Sequence, residues 1–107
     1  MGTYDLHINC FWAQRIEGFY AILANGLKFP KYFSGKLDSL SECLSDLTWL
    51  EESQINIYFY EEPFFLKGED PGLRNAVKQT IEEAVEELFQ LEEEEGEMLK
   101  KLSIYWK

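Results

Sequence analysis

Three carboxylates spaced four residues apart, Asp38, Glu42 and Asp46, are the side chains in this sequence best arranged to do chemistry. On a helix of 3.6 residues per turn, residues four apart stand only about 40° around from one another, so the three acids fall in one stripe. Leu37, Leu40, Cys43, Leu44 and Leu47 share the segment. Their centre lies about 170° from Glu42, and packing them into a core turns the acids to solvent. Ser41 and Ser45 fall between the acids on the same side and leave them accessible. Tyr32 and Phe33 lie just upstream, and aromatic rings beside exposed acids are the mixture of a binding hot spot. Phe33 can equally fold onto the core.

Such a stripe is either an ordinary solvated helix face, a docking surface for a basic partner, or a pair of groups for acid–base or metal chemistry. The last use is poorly supported. Same-face acids one turn apart have no neighbouring histidine, basic substrate clamp or glycine-rich phosphate loop, and they lack the contrasting environments that separate an acid from a base. The single histidine, His7, falls in a strand pattern with nothing nearby to complete a nucleophilic triad. Like charges at this spacing cost an isolated helix a few tenths of a kcal/mol per pair, roughly, and a binding role gives a reason to tolerate that. Asp46 also opposes the helix dipole.

The elements that position these residues are legible from periodicity. Tyr4, Leu6 and Ile8 alternate with Asp5, His7 and Asn9, which predicts a strand with one buried face. Ile16, Phe19, Tyr20, Leu23 and Leu27 predict a helix relaxed at its end by Asn25-Gly26. Pro30 and Gly35 break the pattern and predict an aromatic loop, after which the acidic helix begins at Lys36. Residues 55–60 predict a second strand. Asp70-Pro71 reads as an N-cap and first position of a third helix, with Val77, Ile81, Ala84, Val85, Leu88 and Leu91 inward and Gly96 at its end. Leu102, Ile104 and Trp106 predict a closing strand. The order strand, helix, helix, strand, helix, strand predicts one α/β domain over residues 1–107. It has two layers, a small three-stranded parallel sheet with helices packed mainly on one face.

At 107 residues with 46% hydrophobic content, the chain has enough apolar material for a core without disulfides or a metal. Its net charge of −10 is unevenly placed, with 18 acids and three bases between residues 37 and 97. That field repels nucleic acid and anionic membrane and draws in basic proteins, although acidity also serves solubility. Neither a signal peptide nor a membrane span is visible, and Cys10 and Cys43 read as reduced, buried thiols, so a cytoplasmic location is expected.

The stretch from Phe29 to Leu44, Phe-Pro-Lys-Tyr-Phe-Ser-Gly-Lys-Leu-Asp-Ser-Leu-Ser-Glu-Cys-Leu, resembles the signature of the barstar-like family. There a proline, an aromatic pair and a glycine precede an acidic, leucine-bearing helix that contains a cysteine. The element order also matches. The resemblance implies an inhibitor and not an enzyme. Asp38 and Glu42 correspond to the family's two helix acids, which stand in for RNA phosphates, and Tyr32 to the aromatic beside them. It also implies an acid from the third helix, for which Glu92 is the nearest candidate. Ser41 and Leu47 replace tryptophans, Glu42 an aspartate and Lys36 an asparagine, and Ser34 displaces the glycine by one place. The contact surface is therefore rewritten for a different enzyme. The expectation is a cytoplasmic immunity protein, a monomer when unbound, that forms a heterodimer with a basic nuclease toxin in bacterial competition. It uses no metal or cofactor and contacts no nucleic acid directly. Tyr32, Phe33, Gly35, Asp38, Ser41, Glu42, Ser45, Asp46 and Glu92 are its expected contact residues. The competing expectation is an acidic regulatory module whose partner is not a nuclease.

Overall fold

The structure, a computed structural model, describes residues 2–95 and 100–107, with the side chains of residues 91–95 left outside that description. Strand β1 (Thr3–Asn9) leads through a short 3-10 turn into helix α1 (Ile16–Gly26). Helix α2 (Leu37–Leu44) precedes β2 (Gln54–Tyr60), and helix α3 (Pro71–Glu95) precedes β3 (Lys101–Trp106). The three strands lie parallel in the order β1-β2-β3, in a register that aligns Leu6, Ile57 and Ile104 across the sheet.

Alternation decides which face is covered. Ile8, Ile55, Ile57, Phe59 and Leu102 are buried beneath the helices, while Asp5, His7, Asn9, Tyr60 and Tyr105 point the other way and are exposed. The expected two-layer α/β architecture is therefore the observed one. On the bare face, the register stacks His7 on Tyr58 and Tyr58 on Tyr105, with ring centroids 4.7 and 4.8 Å apart. Beside that row, Asn56 donates to Asp5, and Gln54 donates to both Asn56 and Ser103. The histidine is thus part of a cross-strand ladder.

The core is aromatic at its centre. Phe19, Phe59 and Phe65 are fully buried, with Phe65 edge-on to Phe19 at 5.1 Å and Phe59 stacked on Trp106 at 4.4 Å. Helix α3 starts where expected, because the Asp70 carboxylate accepts from the Leu73 N–H at 3.2 Å and Pro71 needs no partner for its nitrogen. It runs to Glu95, and the expected stop at Gly96 lies outside the described residues. Val77, Ile81, Ala84 and Leu88 face the core, Val85 packs half-buried against it, and the expected inward position of Leu91 lies outside the described side chains.

One ion cluster locks the β2–α3 connection to α3. Glu62 accepts from Arg74 at 2.5 Å and from Lys78, while Arg74 also donates to the Phe65 carbonyl and the Lys78 ammonium sits over the Trp106 ring. The Lys78 hydrogen bond, with the charges of Lys78 and Arg74, outweighs burial and holds the Glu62 carboxyl below its ordinary value of 4.5. A carboxyl with a depressed folded value stabilises the fold above its unfolded pKa, and that contribution disappears as pH falls through the folded value. Glu62→Gln is therefore expected to cost about 1–2 kcal/mol at pH 7 in urea denaturation. The difference from wild type should shrink steadily below pH 4.5; a gap unchanged between pH 7 and pH 3 contradicts this account.

Both cysteines are free and buried. Burial, assisted by Glu62, pushes the Cys10 thiol up to about 11, and burial likewise raises Cys43. Since the thiolate is the reactive form, neither should titrate with Ellman's reagent at pH 8 until the protein is unfolded. Rapid reaction of either thiol in the native state would show that the core is not closed as described.

Candidate functional site

The site is assembled from one loop and two helices. The loop begins after α1, where the Phe29 N–H donates to the Ala24 carbonyl at 2.9 Å and the Phe33 N–H to the Pro30 carbonyl at 3.1 Å. Its aromatics then part company. Phe33 packs edge-on against Tyr20 and Phe29 at 5.6 and 5.0 Å and is half-buried, whereas Tyr32 is 53% exposed. Gly35 reverses the chain at φ +72°, a conformation that favours glycine, with open space where a side chain would stand. Ser39 then clamps the loop, since its buried hydroxyl accepts from the Ser34 N–H at 2.9 Å.

Helix α2 buries Leu40, Cys43 and Leu44 and leaves Asp38 and Glu42 exposed one turn apart, as the opposition of the two stripes requires. The expected third member of the helical stripe falls elsewhere. The helix ends at Leu44, Ser45 is its C-cap, and the Asp46 N–H tightens the turn by donating to the Cys43 carbonyl at 3.3 Å. Leu47 then takes a left-handed φ of 58° while fully buried. Burial of a leucine side chain outweighs the roughly 1–2 kcal/mol that this backbone conformation costs. Asp46 and Leu47 are thus beyond the helix, and Asp46 faces the Tyr32 hydroxyl, which donates to its Oδ2 at 3.4 Å. Burial, then the neighbouring Cys43 and Asp46, raise the Tyr32 hydroxyl above its ordinary value.

Ser45 is not a spacer but a link, donating to Glu87 Oε2 of α3 at 3.1 Å. It brings an α3 carboxylate to the end of the α2 acids. Glu87 is absent from the expected contact residues, because no local signal in the sequence reveals that the C-cap of α2 touches α3. Ser41 is partly exposed between Asp38 and Ser45, while the Glu92 side chain lies outside the described residues. The assembled surface therefore runs from Asp38 and Glu42 along α2 to Asp46, Tyr32 and Glu87. Among the described residues, no group of three or more His, Cys, Asp or Glu side chains is gathered as metal ligands. What the arrangement offers is a continuous row of hydrogen-bond acceptors with one tyrosine at its end, suited to the guanidinium and ammonium donors of another protein.

The family described as Barstar (barnase inhibitor) matches residues 4–103, which is nearly the whole chain, and the chain belongs to that family. No curated protein sequence matches it. The family is one of ribonuclease inhibitors, and its members act by binding and not by catalysis. Among the described residues, no helix is long and apolar enough to cross a membrane.

Proposed function

We propose that this chain is an immunity protein that binds a basic ribonuclease toxin and occludes its active site with the α2 face. The observation that carries this reading is the exposure of Asp38 and Glu42 side by side on a helix whose opposite face is sealed into the core. Carboxylates in a row present charges to cationic catalytic residues as RNA phosphates do, and their complementarity with a basic cleft accelerates encounter. Tyr32 supplies a rigid, half-anchored ring at the end of the acidic row. Gly35 and the Ser34–Ser39 clamp hold the preceding loop in the conformation that presents that ring. Asp46, Ser45 and Glu87 extend the anionic surface toward α3, Ser41 lies within it, and Glu92 would lengthen it.

The rewritten contact positions fit a toxin other than barnase. A panel of bacterial ribonuclease domains with basic active sites, barnase among them, tests the proposal by RNA cleavage. The chain is expected to abolish cleavage by at least one of them at an equimolar ratio. Full cleavage by every member in molar excess of the chain would overturn the reading in favour of an acidic regulatory module.

A further inference from the structure

The outer edge of β3 offers a different surface, built from backbone. In a parallel ladder, alternate residues turn their N–H and C=O groups to opposite neighbours. The Lys101 N–H donates to Ser53 and the Lys107 N–H to Phe59, both at 2.8 Å, so these residues address β2. Leu102, Ile104 and Trp106 therefore direct their backbone groups outward, and among the described residues no strand follows β3. Pairing with β2 is unbroken from Lys101 to Trp106, without proline, glycine or bulge to spoil the edge.

A groove of about 450 Å³ runs along this edge between α3 and β3. Val85 and Phe89 form its helix wall, and Leu102 and Ile104 form its sheet wall. Phe89 is 46% exposed on the helix side of this row of unpaired backbone groups, and Tyr105, 42% exposed, stands on the opposite face of the sheet at the same edge. An added strand would bury both.

Charge selects the occupant. Glu86 borders the groove on the helix side and Lys101 on the sheet side. The exposed acids Glu82, Glu83 and Glu87 adjoin Glu86 on α3. A second copy paired through β3 by a two-fold axis would set two such helices side by side, acid against acid. A foreign strand has no such penalty. We propose that the β3 edge is a β-augmentation site for an extended segment of a partner polypeptide. Apolar and basic side chains of that segment face α3, and an acid on its other side meets Lys101. The inference rests on the sheet edge alone and is independent of the role assigned to α2.

The capped peptide acetyl-Val-Glu-Val-Thr-Arg-amide carries this pattern, and its titration into the full chain, followed by amide NMR shifts, is the test. Saturable shifts confined to β3 and the facing side of α3 are expected, with a Kd below about 1 mM. Phe89→Ser, at an exposed position that leaves the fold intact, should weaken binding about tenfold. Methylating the peptide's alternate, edge-facing amide nitrogens should abolish it. Absence of saturable shifts, equal binding of the methylated peptide, or sedimentation as a β3-paired dimer without peptide would each overturn the proposal.

Discussion

Asp38→Ala and Glu42→Ala are each expected to raise the Kd for the inhibited ribonuclease by about 30- to 1,000-fold, equivalent to roughly 2–4 kcal/mol. The size follows from position. Both carboxylates are exposed in the free protein and carry no partner that folding needs, so truncation leaves the fold nearly unchanged. In the proposed complex the same groups would be desolvated against cationic residues, and removing one would leave its partner buried and unpaired. Most of the loss should appear as faster dissociation, because a specific contact formed after encounter governs release. Association should instead slow with rising salt for wild type and variants alike, since the remaining acids between residues 37 and 97 still attract a basic protein. Stopped-flow association and dissociation rates, with urea denaturation to verify the fold, check both parts. A change in association alone would assign these acids to steering and not to contact.

Phe59→Ala is expected to be the most damaging substitution for stability, by about 3–5 kcal/mol. Phe59 is fully buried near the C-terminal end of the central strand, stacked on Trp106 and facing Phe19 and Phe65. Its removal leaves a void shared by the sheet and helices, which backbone pairing on both sides of β2 prevents from collapsing. The midpoint of urea denaturation should fall with an unchanged slope. A cost below about 1 kcal/mol would mean that the core repacks freely. The fraction that remains folded should still inhibit, since the rings packed on Phe59 are those of Phe19, Phe65 and Trp106 and not the proposed contact residues of α2.

Much of the architecture was legible because it depends on patterns that a sequence carries locally. The alternation in β1, the Asp70-Pro71 cap and the inward Val77, Ile81, Ala84 and Leu88 of α3 each have a signal within a few residues, and each lies where it was expected. The opposition of leucines and acids in α2 placed Asp38 and Glu42 outward for the same reason. The site was less legible where tertiary contacts decide. Leu47 adopts a left-handed conformation that no leucine signals, so the helix stops earlier than its periodicity and Asp46 leaves the stripe. Tyr32 and Phe33 are adjacent aromatics with opposite fates, and only the pocket formed by Tyr20 and Phe29 separates them. Glu87 joins the surface through Ser45, a contact between residues 42 positions apart.

We propose that the α2 face occupies the catalytic cleft of the ribonuclease. Competition with a 3′-mononucleotide, a small ligand of that cleft, tests it most directly. The inhibitor and the nucleotide should exclude each other, so that the apparent Kd of the complex rises in proportion to nucleotide concentration once the cleft is half filled. A ternary complex, with the inhibitor bound equally well at saturating nucleotide, would contradict occlusion.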